Sequence, residues 1–133
     1  MSMAQTYLDD LRRRREEILE RVDIALGHAG RSREDVKIMA VSKTVDIDAA
    51  ADAVRAGYTL LGENRPQELT RKLAFVGQTP EMAGAAFDLI GNLQKNKINQ
   101  VVGRVRKIHS ISGEALAQDV AKRSLTHAVT SHV

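Results

Sequence analysis

Apolar residues recur along the chain at two spacings, one typical of amphipathic helices and the other of buried strands. The first 30 residues show the helical spacing and predict a helix over residues 4–29, which Gly27 or Gly30 would end. Its apolar positions are Leu8, Leu11, Ile18, Val22 and Leu26.

Further helices are predicted where capping residues precede the same spacing. Asp46 can cap a helix that ends at Gly57, and Pro66 suits the first turn of the next helix. A helix is also expected through residues 98–102, and Ser112 can cap the last one. The apolar positions of these helices are Ile47, Ala50, Ala51, Val54, Leu69, Leu73, Ile98, Val101, Val102, Ala115, Leu116 and Val120.

Short apolar runs lie between these helices and predict buried strands. The runs cover residues 36–41, 58–61, 87–90 and 107–111, with the start of a fifth at 127–133. Loops are expected at residues 62–64, 77–84 and 91–92. Strands that alternate with helices in this way indicate an α/β fold with a parallel sheet.

Two folds share this order of elements. One is the first part of an eight-unit (β/α) barrel of TIM type, incomplete because such a barrel needs roughly 200 residues or more and the chain has 133. The other is a self-contained doubly wound parallel sheet of flavodoxin type, for which the length also suffices. Periodicity leaves the choice between them open.

Composition argues against several classes of protein. The chain carries 20 Lys and Arg against 17 Asp and Glu, and the net charge of +3 is too small for the basic stripe of a nucleic-acid-binding protein. Cysteine is absent, and no histidines pair with a carboxylate at the spacing of metal ligands. No apolar run approaches the ~20 residues needed to span a membrane. We therefore expect a cytoplasmic protein that binds neither nucleic acid, metal nor membrane.

Chemistry in parallel α/β proteins gathers where strands end, and Lys43 directly follows the first predicted strand. An amine at this point has apolar neighbours, and partial loss of hydration favours the neutral form that attacks an aldehyde. The alternative is a strand-end lysine whose charge simply reaches solvent. Position alone favours the second interpretation.

The loops after the next two strands carry further polar candidates. Asn64 offers an amide that donates and accepts hydrogen bonds, although Asn is also an ordinary turn residue. Glu63 can act as a general base, but a solvated loop carboxylate is the simpler interpretation. Residues 94–97 can hold a phosphate or form the exposed first turn of a helix. His109 is expected to be a buried, hydrogen-bonded histidine.

Four motifs lie at the predicted strand ends, and each alone is weak. They are AVSKT at residues 40–44, GEN at 62–64 followed by Gln67 and Glu68, Ile90-Gly91 with Leu93-Gln94 and Asn96-Lys97, and IHSI at 108–111. Together, in this order and spacing, they resemble the pyridoxal phosphate homeostasis proteins, also described as proline synthetase co-transcribed proteins. The resemblance covers nearly all of residues 5–125.

The resemblance implies a single barrel domain over residues 1–133, similar to the N-terminal domain of alanine racemase and to fold type III of the pyridoxal phosphate proteins. It implies that Lys43 holds pyridoxal 5'-phosphate as a Schiff base and that Asn64 lies close to the cofactor. Such proteins buffer the cofactor or deliver it, with pyridoxal phosphate-dependent apoenzymes as the expected recipients. No robust catalytic activity is credited to them.

Two positions and the length depart from this family. Asp88 stands where many relatives carry His, and Arg65 where many carry Tyr. Residues 113–133 match neither of the C-terminal segments, one rich in Ser and Gly and one Arg-Ile-Gly, that hold the cofactor phosphate in relatives. We therefore expect a truncated barrel with an unpaired edge strand and weak cofactor binding.

A racemase-like enzyme is the second interpretation, because the same lysine serves amino-acid racemases. Racemization needs a second acid or base on the opposite face of the substrate, often a tyrosine. Tyr7 and Tyr58 are the only tyrosines, and neither lies in a motif that indicates this role. A doubly wound domain without a cofactor is the third interpretation.

Overall fold

The computed structural model describes residues 2–133, in which helices and parallel strands alternate after a long opening helix. The helices are α1 (Met3–Ala29), α2 (Ile47–Arg55), α3 (Pro66–Gln78) and α4 (Glu114–Thr126), and the strands are β1 (Ala40–Val41), β2 (Leu60–Glu63) and β3 (Ala86–Leu89). Short 3₁₀ helices cover Arg33–Asp35, Pro80–Met82 and Lys95–Gln100. The prediction of an α/β fold with a parallel sheet is confirmed.

Capping residues begin α2 and α3 where the sequence predicts. The carboxylate of Asp46 accepts a hydrogen bond of 2.8 Å from the backbone N–H of Ala49, which satisfies one of the free donors at the start of α2. Pro66 is the first residue of α3, where its missing N–H costs nothing. These local contacts fix where the chain turns back after β1 and after β2.

Two other helix ends differ from the sequence prediction or refine it. Gly30, rather than Gly27, ends α1, because it adopts the left-handed conformation at φ 66° that glycine tolerates. The predicted cap at Ser112 is wrong, because Gly113 occupies the cap position of α4 without any side-chain bond. Within residues 2–133, no helix is both long enough and apolar enough to cross a membrane.

Arg33 ties the segment after α1 back to that helix. Its Nε and Nη2 atoms donate to the two oxygens of Asp23 at 2.7 and 3.1 Å. This hydrogen bonding holds the pKa of Asp23 below its ordinary value and raises the pKa of Arg33. The pair orients the chain as it leaves α1 and approaches β1.

The strands are parallel and lie in the order β1-β2-β3, so β2 is the central strand. β1 is shorter than the predicted strand 36–41, because it has a hydrogen-bonded neighbour on one side only and residues 36–39 have no partner strand. β2 extends through residues 62 and 63, which the sequence predicted to be loop. The flavodoxin-type alternative is wrong, because in that fold β1 lies between β2 and β3.

Beyond β3 the sheet continues through single contacts instead of full strands. The predicted strand 107–111 is reduced to one parallel bridge, between Leu89 and Ile108. The predicted strand at 127–133 does not form, although the backbone N–H of Ile108 donates to the carbonyl of His132 at 2.9 Å. The chain therefore follows the sequential order β1-β2-β3-108-132.

One face of the sheet is covered by helices and contains the main core. Leu61, Phe87 and Leu89 of the strands join Leu69 of α3 and Val120 of α4 in a single buried cluster. Because side chains alternate along a strand, residues 41, 62 and 88 lie together on the other face. That face is open at β1, where 53% of Val41 is exposed.

Replacing a core leucine tests which residues stabilise this fold. Leu69→Ala removes a side chain that is 0% exposed, and we expect it to lower the free energy of unfolding by about 2–5 kcal/mol. Leu125→Ala is the matched control, because Leu125 is 83% exposed and its loss should change stability by less than about 0.5 kcal/mol. Urea denaturation followed by circular dichroism measures both, and equal effects would contradict this assignment of the core.

Candidate functional site at the carboxyl ends of the strands

The parallel pairing of β1 with β2 brings two of the predicted site residues to one edge of the sheet. Val41 pairs with Gly62, and the backbone N–H of Ser42 donates to the carbonyl of Gly62 at 3.0 Å. Lys43 follows directly after Ser42, and Asn64 follows the last residue of β2. Both residues therefore leave the sheet at its carboxyl edge, on neighbouring strands.

Lys43 lies in a tight turn and is exposed to solvent. The backbone N–H of Val45 donates to the carbonyl of Ser42 at 3.3 Å and closes the turn. This exposure contradicts the predicted partial loss of hydration of the Lys43 amine. Within residues 2–133, no carboxylate forms an ion pair with Lys43.

The residue after Lys43 adopts a conformation that its side chain disfavours. Thr44 has a φ of 70°, in the left-handed region that β-branched residues rarely enter. A positive φ at the third position of a turn is the geometry of type II turns, where glycine is usual. Such a residue costs on the order of 1–3 kcal/mol and persists only where surrounding contacts impose it.

A buried polar cluster lies directly beneath this turn. Glu63 is 0% exposed and Lys72 of α3 is 2% exposed, and the Nζ of Lys72 donates to Oε2 of Glu63 at 2.8 Å. The same Nζ donates to the carbonyl of Ser42 at 2.7 Å, and the hydroxyl of Ser42 donates to Oε2 of Glu63. We call these three residues the Ser42–Glu63–Lys72 network. It joins the ends of β1 and β2 to α3.

The interpretation of Glu63 as a solvated loop carboxylate is wrong, because it is the last residue of β2 and its side chain faces α3. Its partner Lys72 was not among the sequence candidates. A signal was available, since Lys72 lies three residues after Leu69 and next to Leu73, within the apolar stripe of α3. A lysine in such a stripe calls for a buried acidic partner.

Asn64 is half-buried and is approached closely by the next loop. A Cβ atom on Gly91 would lie 2.6 Å from the Cβ of Asn64 and 2.8 Å from its carbonyl oxygen. Only glycine fits at this distance, and the backbone N–H of Ile90 donates to the carbonyl of Glu63 at 2.9 Å beside it. The loop after β3 thus supports Asn64 from one side.

Asp88, one of the two departures from the family pattern, forms a second buried cluster on β3. It is 0% exposed, and Arg106 donates to its two oxygens at 3.0 and 2.6 Å. The Nε2 of His109 lies 2.8 Å from Oδ2 of the same carboxylate. His109 is hydrogen-bonded as predicted, but it is exposed instead of buried. The cluster attaches residues 106–109 to β3, where only one bridge forms.

The polar residues 94–97 begin a 3₁₀ helix, Lys95–Gln100, in place of the predicted α-helix through residues 98–102. Residues 94–96 are exposed, in agreement with their interpretation as the exposed first turn of a helix. Lys95 forms an ion pair of 3.5 Å with Asp119 of α4. Within residues 2–133, no hydrogen bond or ion pair joins this segment to Lys43 or Asn64.

A cavity of about 340 Å³ lies at this edge of the sheet. Its lining includes the uncharged residues Thr44, Val45 and Asn64 and the charged residues Asp46, Glu63, Arg65, Glu68 and Arg71. The volume falls in the range of small-molecule sites, which begins at about 300 Å³. Arg71 forms an ion pair of 3.3 Å with Glu68, so Arg65 is the cation of this lining that has no ion-pair partner among residues 2–133 and suits an anionic ligand.

Gly91→Ala tests whether the close approach to Asn64 is required. The added methyl group must displace the backbone of Asn64, so we expect a loss of about 1–3 kcal/mol in the free energy of unfolding. Gly77→Ala in α3 is the control, because a Cβ there meets nothing within 4 Å, and it should stabilise the protein by about 0.4–1 kcal/mol. Thermal unfolding of the two variants measures this difference, and a neutral Gly91→Ala would contradict the packing described.

Comparison with known proteins finds relatives that share one name. No protein-family model matches the chain. The pyridoxal phosphate homeostasis protein of Aquifex aeolicus is 31% identical over 116 residues, which are 87% of this chain and 49% of the relative. That of Escherichia coli is 32% identical over 104 residues, which are 78% of this chain and 44% of the relative. The chain therefore spans about half the length of the curated relatives it matches.

Solved structures agree with the sequence relatives. A crystal structure of a protein from Bifidobacterium adolescentis matches with a TM-score of 0.79 and 33% identity, over 96% of this chain and 53% of that protein. PipY of Synechococcus elongatus, in a structure with pyridoxal phosphate bound, matches with a TM-score of 0.65 and 30% identity, over 78% of this chain and 48% of that protein. By sequence, the chain is similar to the pyridoxal phosphate homeostasis proteins, of which it spans about half the length, and by fold it is similar to PipY.

Proposed function

We propose that this chain binds pyridoxal 5'-phosphate in cofactor homeostasis and that Lys43 holds the cofactor as a Schiff base. The observation that carries the proposal is the position of Lys43, an exposed amine without a carboxylate partner among residues 2–133, at the carboxyl edge of a parallel sheet beside Asn64. The names of the relatives and the bound cofactor in the PipY structure support it.

The residues at this edge fit a phosphorylated aldehyde. The aldehyde supplies a carbon that condenses with an amine, forming a C=N bond with loss of water. Lys43 offers that amine, Asn64 an amide for the ring substituents, and Arg65 a cation for an anionic group. Lys72 is unsuited to the same role, because its Nζ is buried and donates to Glu63 and to Ser42.

We propose further that residues 1–133 form part of a (β/α) barrel of the alanine racemase N-terminal type. The sequential order β1-β2-β3, continued by Ile108 beside Leu89 and by His132 beside Ile108, is the order that a barrel requires. A barrel also accounts for the open face at Val41, which further strands of such a fold would cover.

We favour a carrier without robust catalytic activity over a racemase-like enzyme. A racemase needs a second acid or base at the carboxyl edge. Tyr58 instead precedes β2, at the opposite edge, where the guanidinium of Arg15 lies 5.7 Å from its ring. Tyr7 lies on α1 and is 43% exposed. Delivery to pyridoxal phosphate-dependent apoenzymes in the cytoplasm completes the proposal.

Chemical trapping tests the role of Lys43. The chain is incubated with pyridoxal 5'-phosphate, reduced with borohydride, digested and mapped by mass spectrometry. We expect the reduced adduct on Lys43, an absorbance band in the visible range, and loss of both in Lys43→Ala. Lys95→Ala is the matched control, because Lys95 is an 81% exposed lysine at the start of the 3₁₀ helix Lys95–Gln100. Adducts spread equally over the surface lysines would refute the proposal, and titrating the absorbance tests the expected weak binding.

An activity assay separates the carrier from the enzyme. With L-alanine and added cofactor, we expect the chain to racemize no faster than its Lys43→Ala variant, because no tyrosine of residues 2–133 lines the cavity at the carboxyl edge. Chiral chromatography of the alanine product measures the rate. A turnover that Lys43→Ala abolishes would favour the racemase-like enzyme instead.

A further inference from the structure

We infer that Glu63 and Lys72 are positioning residues for Lys43, which they hold in place through the backbone and side chain of Ser42. The inference rests on the proposed function for its consequence, the capture of an aldehyde by Lys43. Its structural part, the ordering of the turn at residues 42–45, stands on the contacts alone.

The contacts converge on the residue that precedes Lys43. The Nζ of Lys72 donates to the carbonyl of Ser42 at 2.7 Å, and the hydroxyl of Ser42 donates to Glu63. The same carbonyl accepts the N–H of Val45 at 3.3 Å, the bond that closes the turn. Lys72 therefore fixes the acceptor on which the turn carrying Lys43 is built.

The turn needs support from outside itself. Thr44, its third residue, has a φ of 70°, and a β-branched side chain disfavours this conformation. The one internal hydrogen bond, at 3.3 Å, is long for an N–H donor. Without the Ser42–Glu63–Lys72 network, Thr44 would relax toward negative φ, and the backbone of Lys43 would turn with it.

Stability alone does not account for the network. A buried ion pair is often replaced by apolar residues of similar volume with no loss of stability. Here the pair instead lies under the one turn that carries the exposed amine, and α3 supplies its cation. The Oε1 atom of Glu63 is buried without a hydrogen-bond partner among the described residues. An apolar side chain at this position would avoid that cost.

The test replaces the pair by apolar residues and leaves Lys43 untouched. The double variant Glu63→Met with Lys72→Met removes both contacts to Ser42 while keeping the buried volume. Ser42→Ala, which removes the hydroxyl contacts to Glu63 and to the carbonyl of Gly62 but keeps the bond from Lys72 to the backbone, is prepared in parallel. The matched control is Arg55→Met with Glu81→Met, which removes a 2.8 Å ion pair between α2 and the 3₁₀ helix Pro80–Met82, outside the turn.

Two measurements are made on variants that retain the wild-type circular dichroism spectrum. The first, without cofactor, is the ¹⁵N order parameter of Lys43 and Thr44, which we expect to fall from about 0.85 to below about 0.6 in the double variant. The second is the ratio of reduced pyridoxal phosphate adduct on Lys43 to that on Lys95. We expect this ratio to fall roughly tenfold, as the loss of a hydrogen bond to a charged group implies. Ser42→Ala should show smaller changes in the same direction.

The outcomes separate this inference from the proposed function. If wild-type Lys43 carries no adduct, the proposed function fails, and the order parameters alone decide the inference. If wild-type Lys43 is labelled and the folded double variant keeps both the wild-type ratio and the wild-type order parameters, the inference is overturned. If the double variant does not fold, Ser42→Ala decides by the same two measurements. An equal fall in the Arg55 and Glu81 control would also overturn it.

Discussion

The ion pair between Glu63 and Lys72 is the interaction on which the carboxyl edge of the sheet depends. Both side chains have left water almost completely, which costs several kcal/mol per charge unless further hydrogen bonds compensate. Those bonds come from the hydroxyl and the carbonyl of Ser42. Removing one partner of such a pair costs about 3–5 kcal/mol, because the other charge remains buried. The ends of β1 and β2 and the helix α3 are thereby held as one unit.

At this edge, side-chain hydrogen bonds hold together segments that the short strands pair only in part. β1 has only two residues, and beyond β3 a single bridge joins Leu89 to Ile108. The bonds from Arg106 and His109 to the buried Asp88 hold the chain there in place of a hydrogen-bonded ladder. Gly91 acts at the same edge, because its lack of a side chain lets the loop after β3 approach Asn64 closely. Polar clusters and one close backbone approach therefore organise a sheet with few ladder bonds.

Sequence reasoning succeeded where the cause is local and failed where it is not. Asp46 and Pro66 act on the backbone within one turn, so their positions predict the starts of α2 and α3. The burial of Glu63 depends on Lys72, which lies nine residues away on α3. The pattern of apolar residues within β2 alone does not reveal such a partner. The strand at 107–111 was overpredicted for a related reason, because strands form only where a neighbour offers a complete ladder.

The two lysines at this edge show how surroundings assign different roles to the same side chain. Lys72 lies in the apolar stripe of α3, where its buried Nζ donates hydrogen bonds to the carboxylate of Glu63 and to the carbonyl of Ser42 and is closed off from a carbonyl compound in solution. Lys43 is exposed, without an ion-pair partner among residues 2–133, and sits in a turn held in a disfavoured conformation. An exposed amine on a turn whose backbone is fixed by a second, buried lysine combines access to solvent with order.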